Sequence, residues 1–208
     1  MSATAPLNRR EYSSDIAFTS AVKTIQDRKG SRQSYARMER SGSWPTTVTE
    51  DLAQFLAELD MFYLGTTNAE GQPYIQYRGG SPGFLKVIDE KTLGFADFGG
   101  NRQYITLGNL SENPKVHLFL IDYARRARVK IWGTACAVED EGLLAELSHP
   151  GYDARPERAI VVDVVAWDAN CPQHIPQRLE AADVARALAD RDETIARLEG
   201  ELRALRAR

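Results

Sequence analysis

Apolar positions along the 208-residue chain change their period several times, and the changes divide it into segments. Between Thr49 and Glu58 they follow the helical period. Leu52, Phe55, Leu56 and Leu59 recur three or four residues apart behind a threonine N-cap and the first-turn acids Glu50 and Asp51, which predicts an amphipathic helix. From Met61 the pattern shortens into strand-like runs at 61–67, 73–77, 84–88, 93–98, 115–121, 129–138 and 159–167. Asn68 to Gln72 reads as a hairpin turn and Asp89 to Thr92 as another. Two short helices interrupt the strands, one from Arg102 to Leu110 with Asn101 as its N-cap and one from Glu141 to Leu147. Seven strands joined mostly by short connections predict a mainly β protein. Its sheet is expected to be antiparallel and to close into a barrel, which removes exposed edges.

The two ends of the chain read differently. Ahead of residue 45 lies a polar arm with a helix from Ile16 to Arg28, whose Ile16, Val22 and Ile25 share a side, and a helical turn from Ser34 to Arg40. It has too little apolar surface to fold alone. Beyond Gln177, the residues Val184, Leu188, Ile195, Leu198, Leu202 and Leu205 fall on a heptad seam, with Arg191 in the one intervening polar slot. That pattern fits a helix laid on its own barrel or a self-associating coil, and the narrow stripe with charged flanks favours the coil. The expected organisation is an arm over 1–44, a barrel domain over 45–176 and a C-terminal helix over 177–208.

Composition narrows the function classes. With 43% hydrophobic and 26% charged residues the chain is globular, and a net charge of −3 argues against general nucleic-acid binding. Within the basic run Arg125 to Lys130, Arg125 and Arg126 read as a solvated hairpin connection. Two isolated cysteines, Cys136 and Cys171, support neither a disulfide framework nor a metal site, and a reducing cytoplasm is the default compartment. No apolar run approaches the length needed to span a bilayer, so no membrane association is expected.

Candidate chemistry gathers at two glycine pairs. Leu93 to Phe98 runs into Gly99-Gly100-Asn101-Arg102-Gln103, where a helix N-terminus and the forked donor of Arg102 would converge on one anion. A tight strand-to-helix turn with a solvated arginine would leave the same sequence. The second pair ends the stretch Pro73 to Gly80, in which Gln76 and Arg78 face one way and Ile75 and Tyr77 the other. Two glycine loops, each with an arginine, could hold the two ends of a flat anionic ligand. Neither has a dinucleotide or Walker fingerprint. Cys171, Gln173 and His174 sit in a proline-bracketed turn after the last strand and are candidates for a substrate pocket; an ordinary exit loop would look alike. His117 reads as a core or interface residue and His149 as surface.

Taken together, G-Q-P-Y-x-Q at 71–76, G-F-A-D-F-x-G-N-R-Q at 94–103, S-E-N-P-x-V at 111–116 and the Trp132-Gly133 pair resemble the pyridoxamine 5′-phosphate oxidase-like, FMN-binding split-barrel family over about residues 45–170. The resemblance implies an antiparallel split barrel forming a homodimer, with FMN in clefts between subunits. It assigns flavin contacts to Ile75, Gln76, Tyr77 and Arg78, the flavin or ribityl chain to Ala96 and Asp97, the phosphate to Arg102 and Gln103 beside Asn101, and the isoalloxazine edge to Arg128. Departures matter as well. The true oxidases carry an Arg and a Lys on the strand where this chain has Gln76 and Gly80-Ser81. They have a Lys at the position of Gln103, and a W-x-x-x-R-L-x-P signature where this chain reads Trp167 to Pro176. Those differences argue against pyridoxal phosphate synthesis. The expected function is an FMN-dependent oxidoreductase acting on a small molecule, with NAD(P)H as a candidate electron donor and no catalytic acid required of the protein. A deazaflavin (F420)-dependent reductase and a non-catalytic flavin carrier or sensor remain the alternatives.

Overall fold

The computed structural model describes residues 11–170 and 172–207. Within them the chain divides into two compact units, one from residues up to 121 together with 128–170, the other from 122–127 with the residues after 170. The first holds a single seven-stranded sheet in the order β2-β1-β5-β6-β7-β4-β3. Its strands are β1 (Met61–Thr67), β2 (Pro73–Gly79), β3 (Lys86–Val87), β4 (Thr92–Phe98), β5 (Lys115–Asp122), β6 (Ala127–Val138) and β7 (Pro156–Asn170). Its helices are α1 (Ser20–Lys29), α2 (Arg32–Arg40), α3 (Glu50–Glu58), α4 (Ile105–Glu112) and α5 (Glu141–Leu147), preceded by a 3-10 turn at Ser13–Ile16.

Register explains the core. Phe62 and Leu64 of β1 stand opposite Leu120 and Leu118 of β5, and Leu93 and Phe95 of β4 stand opposite Val162 and Ile160 of β7. All eight are buried, because alternate residues of each strand turn to one face. Helix α3 seals one end of this core with Leu52 and Leu56, its Thr49 hydroxyl accepting the Leu52 amide as the sequence predicts. Ala96, on the opposite face of β4, joins Leu147 of α5 and Ala159 in a smaller cluster.

The sheet is an antiparallel split barrel whose two ends, β2 and β3, remain edge strands. Full closure, expected from strand count, does not occur. After Gly79 the chain leaves β2 through a Gly-Ser-Pro-Gly turn, and the run expected at 84–88 keeps only Lys86–Val87 as strand because Phe84 and Leu85 are drawn into the core. Side chains bridge the resulting seam instead.

The N-terminal arm departs from its expected apolar side. Ile25 is 49% exposed, while Gln26 and Glu39 are buried. Glu39 pairs with Arg32 and, at 3.5 Å, with Lys23, which also holds Asp15 at 2.7 Å. A polar network therefore joins α1 to α2. The arm meets the outer face of the sheet through aromatic rings: Phe18 lies 5.0 Å from Trp44, which stacks on Trp132 at 4.7 Å, and His117 meets the edge of Trp132 at 4.9 Å.

The second unit contains α6 (Ala181–Arg206) and the turn between β5 and β6, where Arg178 lies over the Tyr123 ring and Arg126 donates to the Ile175 carbonyl. No residue of α6 is buried. No helix among the described residues is long and apolar enough to cross a membrane.

Two outcomes follow from this packing. At Gly133 a Cβ would lie 2.4 Å from the Asp163 carbonyl oxygen, at the point where β6 and β7 shift register. Backbone is the obstacle, so Gly133→Ala should cost about 1–3 kcal/mol in urea unfolding, whereas Gly108→Ala, in helix α4 with open space around it, should cost nothing. Burial, and secondarily Lys130, push the His117 imidazole below its ordinary value of 6.5. The unfolded chain then takes up the proton first. Stability should fall as pH drops through about 6.5 toward the folded-state value, and His117→Gln should flatten that slope in unfolding experiments run from about pH 7 to about pH 5.

Candidate functional site

A groove opens at the seam, where β2 and β4 approach without pairing. It is built from Gln76 and Arg78 of β2, Asp97 of β4, the loop 100–104, the start of α4, and Arg158 of β7, and encloses about 210 Å³. The alternation of β2 gives the first two residues their direction. Gln76 and Arg78 stand opposite the buried Leu64 and Phe62 of β1 and so turn inward.

Asp97 is the centre of the groove's electrostatics and is 6% exposed. Its Oδ1 accepts from Arg78, reaching across the seam, and its Oδ2 accepts from Arg158 at 2.9 Å on the neighbouring strand. Register fixes the second contact, since Asp97 and Arg158 are direct cross-strand partners. Burial works against the Arg158 charge, but hydrogen bonds to Asp97 and Glu157 outweigh it and hold its pKa above the ordinary arginine value. The guanidinium also lies 5.8 Å from the Tyr104 ring. Arg78 is satisfied at its Nη1, yet its buried Nε has no partner among the described residues.

The glycine loop differs from its expected form. Helix α4 begins at Ile105, three residues later than Arg102, and its N-cap is Tyr104, with no side chain capping the first turn. Asn101 does not cap the helix. Its Oδ1 accepts the Gln103 amide two residues on, a local turn that competes with helix initiation. Arg102 and Tyr104 both adopt left-handed backbone angles, φ 58° and 56°. Two such non-glycine residues within three positions carry a conformational cost of order 1 kcal/mol each, and the first turn of α4, uncapped by any side chain, lines the groove. Behind the loop, polar contacts hold α4 to the sheet. Thr106 donates to the Gln76 side-chain oxygen at 2.6 Å, and the buried Asn109 donates to Thr66 at 2.9 Å.

The structure thus brings Gln76, Arg78, Asp97, Asn101, Arg102 and Gln103 to one groove. Ile75 and Tyr77 face the opposite side of β2 and are 69% and 60% exposed. Ala96 is buried against α5. Arg128 lies on β6 opposite Asn170, outside the groove lining, with a buried Nε lacking a partner among the described residues. Gln173 and His174 are exposed residues of the second unit, and Cys171 lies outside the described residues. Sequence reasoning missed Arg158, Thr106 and Tyr104. Arg158 had a usable signal, for it precedes Ile160 and Val162 at period two, and extending that strand by one step turns it inward.

Asp97→Ala would leave the largely buried Arg78 guanidinium without an acid and Arg158 with Glu157 alone. A loss of roughly 3–5 kcal/mol in urea unfolding is the expected result, with Asp97→Asn intermediate. A loss below about 1 kcal/mol would mean that solvent screens the cluster as it does a surface pair.

A family model described as pyridoxamine 5′-phosphate oxidase matches residues 48–171. No curated protein sequence matches the chain. Among solved structures, HupZ from Group A Streptococcus is 17% identical, covering 64% of this chain and 99% of its own at a TM-score of 0.49. An FMN-binding protein from Syntrophomonas wolfei is 14% identical over 71% of this chain and 97% of its own, with a TM-score of 0.46. HutZ, a heme storage protein from Vibrio cholerae, is 15% identical over 56% of this chain and 89% of its own, with a TM-score of 0.38.

Proposed function

Because the chain belongs to the pyridoxamine 5′-phosphate oxidase family, as the match over residues 48–171 establishes, we propose that its seam groove holds a flavin nucleotide, FMN, and that the protein is a flavin-dependent oxidoreductase. The carrying observation is the donor set at the groove mouth. Arg102 and the start of α4, which no side chain caps, supply positive charge and helix N-terminal N–H groups suited to a phosphate, beside the turn in which Asn101 takes the Gln103 amide.

The remaining lining fits the rest of such a ligand. Arg78 Nε is a buried donor without an acceptor among the described residues, and Gln76 is held at a fixed orientation by Thr106. Asp97 is consumed by its two arginines, so it serves to hold Arg78 and Arg158 in place and not to transfer protons. When bound, the flavin would supply the hydride chemistry. The protein's own residues would bind the phosphate, orient the ring system and keep bulk water from it.

A groove of about 210 Å³ is smaller than the roughly 300–1,000 Å³ typical of sites that enclose a drug-sized ligand. One chain therefore offers part of a flavin site. The edge strand that lines it also carries the exposed Ile75 and Tyr77 on its other face, a surface suited to a second copy, and a homodimer completing the cleft is part of the proposal. The altered residues at Gln76 and Gln103 and the missing C-terminal oxidase signature favour a substrate other than pyridoxine phosphate.

Purified protein should be yellow and release FMN identified by mass spectrometry. Arg102→Ala should weaken FMN by about 1.5–3 kcal/mol while affecting riboflavin, which lacks the phosphate, much less; fluorescence-quenching titrations measure both. Equal losses for the two ligands would remove Arg102 from the phosphate site. A colourless protein that fails to quench added FMN would reject the flavin reading altogether, and a flavin that no nicotinamide or small-molecule donor reduces would leave a carrier role ahead of an enzymatic one.

A further inference from the structure

The apolar seam of α6 has no cover among the described residues. Val184, Leu188, Ile195, Leu198, Leu202 and Leu205 are between 40% and 65% exposed, and not one residue of the 26-residue helix is buried. At 1.5 Å per residue α6 is about 39 Å long, more than three heptads. The spacing places Leu188, Ile195 and Leu202 at the first core position of successive heptads, and Val184, Arg191, Leu198 and Leu205 at the second. Ion pairs within the helix lie off this seam: Arg186 with Asp183 at 2.7 Å, and Arg197 with Glu201 at 2.8 Å.

We propose that α6 pairs with α6 of a second copy of this chain as a parallel, in-register coiled coil. Charge complementarity selects both the occupant and the direction. In a parallel pair, Glu201 at a flanking position meets Arg206 of the other helix, and this happens twice by symmetry. The other flanking pairs, Ala187 with Asp192 and Thr194 with Glu199, bring no like charges together. Arg191 occupies a core position, so the two arginines of the pair share one layer, and the acid at Asp192 on the facing helix offers each of them a partner that offsets their repulsion. An antiparallel pair with full overlap would instead set Asp192 against Asp192 and gain no attractive flank. A single charged core residue lowers stability while fixing register, as polar core residues do in other coils.

Strength can be judged from area. Six half-exposed aliphatic side chains on each helix remove on the order of 1,000 Å² from water in total, at the lower limit for a stable interface. The coil is therefore a weak contact that acts well when its helices are already tethered near each other, where the effective concentration reaches the millimolar range. This inference stands apart from the flavin reading and survives its failure.

Cysteine placement in the full-length protein tests it directly. Leu202→Cys, oxidised in dilute solution and mapped by peptide mass spectrometry, should form a disulfide between two copies at position 202 at least tenfold faster than Ala196→Cys, which lies on the outer side of the helix. Ile195→Glu combined with Leu202→Glu changes only exposed residues, so the chain should still fold, and its self-association constant in analytical ultracentrifugation should weaken at least tenfold. Equal cross-linking at 202 and 196, or a disulfide joining Arg191→Cys to Ile195→Cys in preference to 202 with itself, would overturn the parallel coil. Unchanged self-association of the double variant would do so as well.

Discussion

One carboxylate spans the opening of this barrel. From β4, Asp97 accepts from Arg78 on the edge strand β2 and from Arg158 on its own neighbour β7, so a seam that lacks main-chain pairing is tied by side chains. Desolvating three charges offsets much of what their attraction contributes, and such clusters are weak evidence for stability. Their effect here is geometric. With both oxygens of Asp97 engaged, each guanidinium has a fixed position, and the groove keeps its width while its floor remains polar. The aromatic packing beneath, where Arg78 lies 5.7 Å from the Phe95 ring, ties the same residues to the apolar core.

Elements governed by local pattern are legible in the sequence. Strand β1 and helix α5 fall at the positions their periodicity predicts, and α3 starts behind its threonine cap. Elements governed by distant partners are not. The Asn101 motif reads as a helix cap, yet the helix waits until Ile105 because Arg102 and Tyr104 take left-handed angles. Gln26 and Glu39 look like solvated helix residues in sequence, and a salt-bridged network turns them inward. In the candidate site, the residues on either side of each glycine pair can be named from their local motifs. Arg158 cannot be matched to Asp97 without knowing that β7 and β4 are neighbours.

The two units place different demands on their sequences. In the first, the five strands between the two edges contribute to one core, and a change such as a methyl group at Gly133 meets the Asp163 backbone. In the second, α6 carries its apolar residues on a single exposed stripe and its charges elsewhere. Helix propensity and ion pairs between successive turns maintain it, together with whatever the stripe contacts. Gly200, on the outer side with nothing near it, weakens the helix without any packing role to offset the cost.

The three-residue cluster at the seam also constrains what sequence change can do over time. Arg78, Asp97 and Arg158 are linked so that loss of the acid alone strands Arg78 and leaves Arg158 with Glu157 only, whereas loss of either arginine alone leaves the acid with one partner. Substitution at these positions is therefore path-dependent. A descendant chain can reach a neutral seam by first giving up one arginine, then the acid with the other, but the opposite order passes through an intermediate that folds poorly. Among relatives that keep this seam, the identities at positions 78, 97 and 158 should vary together, and they should do so even though 78 and 158 are eighty residues apart and belong to strands that never pair.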